Sequence, residues 1–308
     1  MRFDASGGDV QKEYIMLNIK RHFLPYWFIG PSLLFLVLIV VYPLGFSLYY
    51  SFQIWNLQIS AVPLGPAGLT NYINAINDPT FVQAFINTIK LSVSVTAIEF
   101  IFGLGIALLL NENLKGVNII RAILIMPTTV APMVAGFLFR YLYYPDGLIS
   151  FFLSSMKIPL PQEGILGNAA TALWGIAFTD IWEWTPFFAI ILLAGLKSIP
   201  AEIIEAAQVD GATFFRTFWH LMLPNLKFVS LIILMIRFMQ VFNLFDIIYA
   251  ETMGGPGTST RTLSYNLYYR GLVEYNIGYA SAIAWIMIII IAVIINIFII
   301  FSFRGKEL

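Results

Sequence analysis

Long apolar runs separated by short polar stretches dominate the chain. Six of them, roughly 24–52, 84–110, 119–144, 170–195, 225–249 and 277–302, reach the length of about 20 residues that crosses a bilayer core. None alternates apolar and polar positions in ten-residue stretches, so the pattern predicts helices closed by their own hydrogen bonds rather than barrel strands. The first run is too long for a signal-peptide core, and no small-residue cleavage site follows it, so it reads as a retained span. The expected fold class is an all-α membrane protein with six transmembrane helices: a short N-terminal segment, 1–23, and one transmembrane domain, 24–308, with no internal repeat and no second domain.

The basic residues orient these spans. Arg2, Lys12, Lys20 and Arg21 precede span one, and Lys115 and Arg121 flank the turn from span two to three. Lys197, Arg216 and Lys227 belong to the connection from four to five, and Arg304 and Lys306 close the chain. The other side holds Lys157, Arg261 and Arg270, so an eleven-to-three excess places both termini and the loop 198–224 in the cytoplasm. Lys90 and Arg140 sit near the outer ends of their spans, where snorkelling explains them.

Composition then excludes whole classes. The chain is 59% hydrophobic and 11% charged, with a mean hydropathy of +0.82; a soluble domain is about one quarter charged. Its solvent is membrane lipid. No basic block points to nucleic acid. The absence of cysteine removes thiol catalysis, thiolate metals and disulfides. Two histidines, His22 and His220, are too few and too isolated for a metal site, and no phosphate loop of the Gly-x4-Gly-Lys-Ser/Thr type occurs.

The loop "SIPAEIIEAAQVDGATFFRTFWHLMLP", 198–224, is longer than a connection requires. Ser198 suits a cap and Pro200 a first helical turn. Glu202 and Glu205 fall where the helix dipole favours anions, and Gly211 is a natural stop. A second short helix then carries Phe214, Phe215, Phe218 and Trp219, and Pro224 begins span five. Physics alone leaves two readings open: an amphipathic connector dipping aromatic residues into headgroups, or a nearly flat tip, at Ala206 and Ala207, for another protein to approach.

Ionisable residues at bilayer depth are functional hypotheses by default. On span four, Asp180, Glu183, Trp184 and Phe187 share one helix face; on span five, Arg237, Gln240, Val241 and Leu244 share another. Asn243 and Asp246 lie further out, off that line. Two polar-aromatic faces at one depth suit a sugar, whose hydroxyls take hydrogen bonds and whose ring stacks on aromatic residues. The bland alternative is that Arg237 pairs with Glu183 or Asp180 to hold two helices together. Pro186 is expected to kink span four. Glu99 and Asn296 read as lone interhelical hydrogen-bonding groups.

The spacing Glu205-Ala206-Ala207, three residues, Gly211, nine residues, Leu221-x-Leu223-Pro224 resembles the signature loop of the permease subunits of binding-protein-dependent ABC importers. Asp210 before Gly211 fits that signature, and Leu221 departs from its usual isoleucine. "FINTI" at 85–89, "RAILIMPTTVAPMVAGFLF", "YPDGLIS", "TMGGPGTSTRTL" and "GYASAIA" resemble the sugar branch of the family, and specifically the larger maltose permease subunit; Phe139 stands where a tryptophan is common. The motifs cover roughly 81–285. The resemblance implies a type I importer permease in a bacterial cytoplasmic membrane, paired with a second permease. ATP and Mg would sit on a separate ATPase dimer, with no cofactor in this chain, and a coupling helix around Glu205, Ala206, Ala207, Asp210, Gly211 and Pro224 would seat in the ATPase. An extracytoplasmic binding protein would dock on the outer loops, with Tyr268, Tyr269 and Arg270 as contacts; the bland reading of that Gly-rich stretch is a loop cap. The face on spans four and five matches the sugar-holding positions of the maltose permease, and Arg237 leaves room for an acidic saccharide. Two other classes compete: an ion-gradient-driven transporter or channel, whose matched broken helices are missing, and a membrane-embedded enzyme, for which no nucleophile or histidine set lies at membrane depth.

Overall fold

The computed structural model describes residues 28–112 and 115–303; the N-terminal segment 1–23, the first residues of span one, and Arg304 and Lys306 lie outside the described residues. Five helices are long and apolar enough to cross a membrane, and a sixth span arises if one sharply bent pair counts as one.

Helix α1, Phe28–Ser51, is apolar all round and exposed along almost its whole length. A two-residue antiparallel ribbon, β1 (Gln53–Ile54) with β2 (Gly65–Pro66), and the short α2, Thr70–Asn77, follow. Helix α3, Pro79–Asn111, is 33 residues long and begins five residues before the span predicted at 84, because Asp78 supplies a cap. Its Oδ1 accepts the Thr80 N–H at 2.9 Å, and Pro79 takes the first position, where no donor is needed.

The third predicted span, 119–144, is not one straight helix. Helix α4, Val117–Ile125, runs into a 3-10 turn, Met126–Thr129, and α5, Pro132–Leu142, leaves at 93° to it. Val130 and Ala131 are extended between Pro127 and Pro132, and the residue before a proline is driven out of helical conformation. Helix α6, Leu148–Ser155, lies in the loop that follows.

Helix α7, Ala172–Lys197, continues through Pro186 and packs along α3 in the most extensive contact of the fold. Gly103 makes that approach possible: a Cβ there would overlap the Cβ of Phe188 and lie 3.1 Å from the Ala189 nitrogen. After α8, Ala201–Val209, the short α9, Phe214–Thr217, passes through a widened π turn, Phe218–Met222, into α10, Leu223–Phe242. Pro224 therefore lies within a continuous helix instead of opening it; the widened turn directly precedes the proline, which lacks an N–H. Nor does span five reach 249. It stops at Asn243, and α11, Asp246–Glu251, resumes after a break. Thr262 Oγ1 donates to the freed Leu244 carbonyl at 3.2 Å, a tertiary partner invisible to local pattern. Helix α12, Leu263–Tyr268, and α13, Ile277–Phe303, complete the described chain.

Three helices, α3, α7 and α10, build the centre in layers. One apolar layer holds Leu91, Val95, Ile176, Ala177, Val241 and Ile248. Another holds Ala107, Phe188, Leu192, Leu226 and Ile233. On every one of the three helices the buried charged residues fall between these layers: Glu99 on α3, Asp180 and Glu183 on α7, Arg237 on α10.

Candidate functional site

The polar layer is an ion-pair cluster. Arg237, 2% exposed, donates from Nε to Glu99 Oε2 and from Nη2 to Glu99 Oε1, both at 2.9 Å, a bidentate fork. Nη2 also donates to Asp180 Oδ2, and Nη1 to Gln240 Oε1 at 3.3 Å. The Trp184 ring covers the guanidinium, 4.8 Å from Cζ to its centroid, a cation–π contact. Arg237 thus pairs with Asp180, one of the two partners expected, and with Glu99, whose expected interhelical hydrogen bonding is present but as half of an ion pair rather than as a lone polar group. It does not pair with Glu183. That carboxyl is fully buried, and neither oxygen meets a donor at hydrogen-bond geometry; Asp180, Arg237, Asp246 and Trp184 are the groups that act on it. Asn296 also departs from expectation: it is exposed, and its amide bonds within its own helix to Ala292 at 2.7 Å.

The predicted substrate face separates into two depths. Gln240 is exposed, and Trp184 and Phe187 are half-buried, with ring centroids 5.8 Å apart. Asp180, Glu183 and Arg237 lie beneath them. Val241 and Leu244 lie in the apolar core against Leu91 and Ile176, so they give a path no surface. The helix face that groups them in sequence is wider than the strip left uncovered once α3 packs on.

The loop after α7 is built around one glycine. Gly211 has φ +75°. Its N–H bonds the Gln208 carbonyl at 3.0 Å, and the Ala212 N–H bonds the Ala207 carbonyl at 2.9 Å, the paired bonds of a Schellman ending. Ser198 does not cap α8: its Oγ turns back to the Gly195 carbonyl at 2.7 Å, and Pro200 occupies the cap position. Thr213 Oγ1 accepts the Arg216 N–H, opening α9. Ile204 and Phe218 pin the two helices to the apolar layer beneath, while Glu202, Glu205, Ala206, Val209, Asp210, Gly211 and Pro224 stay exposed and Ala207 is half-buried.

At the opposite end of the spans, the residues expected at a docking surface hold the loops together. Arg270 donates from Nη2 to Asp78 at 2.6 Å and from Nη1 to Glu274 at 2.7 Å, and Tyr279 donates to Asp78 at 2.9 Å. Burial pushes the Asp78 carboxyl up, but the Thr80 amide, the Tyr279 hydroxyl and the Arg270 guanidinium outweigh it and hold it below the ordinary carboxylate range. Tyr269 lies under Arg261, 4.1 Å from Cζ to its ring centroid, and Tyr268 joins a cluster with Phe245 and Tyr249. Arg140 does not snorkel freely: its Nη1 donates to the Ala250 carbonyl at 3.3 Å. Glu251, which sequence reading passed over, is buried and accepts the Thr179 hydroxyl at 2.6 Å.

Residues 99–304, which contain the charged layer, the Gly211 loop and the docked outer loops, match the model of the binding-protein-dependent transport system inner membrane component. The chain belongs to this family of ABC importer permeases. The permease is 33% identical to a probable ABC transporter permease of Sinorhizobium fredii, covering 91% of this chain and 90% of the relative. It is also 33% identical to the trehalose/maltose transport system permease protein MalF of Thermococcus litoralis, covering 89% and 92%. With the sn-glycerol-3-phosphate transport system permease protein UgpA of Escherichia coli it shares 30% identity over 89% and 92%. Its fold matches a bacterial transporter that imports the acidic polysaccharide alginate with a TM-score of 0.81 at 21% identity, covering 95% of this chain and 99% of that one. The type I permease fold expected from the resemblance is the fold observed.

Proposed function

We propose that this permease forms one half of the path by which a bacterial cytoplasmic membrane takes up a saccharide. A second permease subunit supplies the other half, a separate ATPase dimer holds ATP and Mg, and an extracytoplasmic binding protein delivers the sugar to the end near Tyr268, Tyr269 and Arg270. The named sugar relatives support the substrate class, and the half-buried Trp184 and Phe187 beside the exposed Gln240 suit stacking and hydrogen bonding to a sugar ring. The eleven-to-three excess of basic residues supports cytoplasmic termini and a cytoplasmic α8.

The observation that carries the reading is the rigid helix–glycine–helix at Ala201–Thr217. It offers an exposed strip of Glu202, Glu205, Ala206 and Val209, one helix face, while its other side is anchored in the core. Such an element transmits a push from a docked partner to α7 and α10. Co-purification from membranes tests it. The wild-type permease is expected to retain its ATPase through detergent extraction, and Glu205→Arg to lose it while still inserting. Equal retention would remove the coupling role from α8.

A further inference from the structure

Where α3, α4 and α7 meet, at the end of the spans that carries α8, they enclose a cavity of about 380 Å³. Three cations line it, each from a different stretch: Lys115 from the turn before α4, Arg121 from α4 itself and Lys197 from the last position of α7. Glu112 is the one carboxylate of the lining, and it forms no ion pair with any of them. Cations here have an ordinary task, which is to close the carbonyl ends of α3 and α7. Arg121 performs it: Nη2 donates to the Leu110 carbonyl at 3.1 Å and Nη1 to Asn118 Oδ1 at 3.4 Å. Each of these two nitrogens keeps a second N–H. The lysines do not share the task. Neither Nζ meets a carbonyl or a carboxylate among the described residues, and both side chains are exposed.

We propose that this cavity binds the headgroup phosphate of an acidic membrane lipid. Three cations against one carboxylate, none of them paired, leave a concave site whose charge is unmet, and phosphate oxygens accept from guanidinium and ammonium groups alike. The surface beside the cavity decides between a lipid and a soluble or protein-borne anion. Val117 and Leu124 turn α4 onto the apolar layer of the core, but Ile119, Ile120 and Ile123 of the same helix stay exposed, as does Leu109 on the last turn of α3. An amphiphile satisfies both features, its phosphate among the cations and its acyl chains along the isoleucines. A free anion or an acidic patch on a partner would answer the charge and leave that apolar strip bare. Basic pockets between membrane helices at the bilayer surface take acidic headgroups for this reason. The bound phosphate ties the ends of α3, α4 and α7 together four residues before α8 begins at Ala201.

The inference is independent of which solute the permease carries. The purified importer complex is stripped of lipid in detergent, and dioleoylphosphatidylglycerol, dioleoylphosphatidylcholine or inorganic phosphate is added back and counted by native mass spectrometry. Wild type is expected to bind phosphatidylglycerol about tenfold or more tighter than phosphatidylcholine. The double variant Lys115→Gln/Lys197→Gln, which leaves Arg121 and both its bonds in place, is expected to lose about tenfold of the phosphatidylglycerol affinity. Lys227→Gln removes a cation of the same end outside the cavity and is expected to keep the wild-type affinity. Equal binding of the two lipids by wild type overturns the proposal. So does an unchanged affinity in the double variant, or an equal loss in Lys227→Gln, which would reduce the effect to surface charge. Displacement of phosphatidylglycerol by inorganic phosphate would make the cavity a free-anion site, and lipid binding that emerges only after the ATPase is removed would give the cavity to that partner; either result overturns the lipid assignment.

Discussion

Arg237 ties three helices with one side chain: α10, which carries it, α3 through Glu99 and α7 through Asp180. Truncating one partner of a buried ion pair strands the others, at a cost of about 3–5 kcal/mol. Arg237→Met should therefore lower the thermal midpoint of the detergent-solubilised complex sharply, and adding Glu99→Gln and Asp180→Asn should recover part of the loss; no recovery would mean that the pairing is not what stabilises the layer. Asp78 offers a pH test at the outer end. Its folded pKa is depressed, so its contribution is fully present above the unfolded value of about 3.9 and is lost as pH falls through the folded one. The midpoint should drop on acidification below about pH 4, and Asp78→Asn should flatten that drop. The charges of α7 and α10 were legible from helical spacing alone. Glu99 was read as an interhelical hydrogen-bonding group, which it is, but not as Arg237's partner, although a signal exists: it continues the buried stripe Ala84, Thr88, Leu91, Val95, Gly103 and Ala107 of α3, a row of mostly small residues that must face another helix.

Among the elements, two glycines act for different physical reasons. A side chain at Gly103 meets the backbone and Cβ of α7. Gly103→Val should force α3 and α7 apart and lower stability throughout the core, read as a fall in the thermal midpoint. Gly211 has open space around it but φ +75°, where an L side chain costs about 1–2 kcal/mol. Gly211→Val should leave the midpoint nearly unchanged while loosening the end of α8 and weakening ATPase stimulation; Gly211→Asn, which tolerates that backbone, should retain more of it. The loop was readable because Gly211 punctuates it. The break at Val130–Ala131 had a readable cause in Pro127 and Pro132, yet the apolar run across it hid the bend. The break at Asn243 had none, since it depends on Thr262, which is distant in sequence.

At the scale of the whole molecule, three stacked layers set rigid helices around one charged plane, with the α8 strip at one end and interlocked loops at the other. A push on α8 reaches α7 and α10 through Ile204 and Phe218, and those two helices carry the Trp184–Gln240 face. Hydrophobic run length predicted this architecture well because lipid demands it; the family is written in the motif spacing. The central claim is that the chain conducts a saccharide only when a separate ATPase moves α8. It is tested most directly by uptake of an oligosaccharide into proteoliposomes that hold this permease, its second permease and the ATPase, with binding protein outside. Uptake should require ATP and should fail with Glu205→Arg, which no longer holds the ATPase; uptake that persists without ATP and follows an imposed ion gradient would contradict the account.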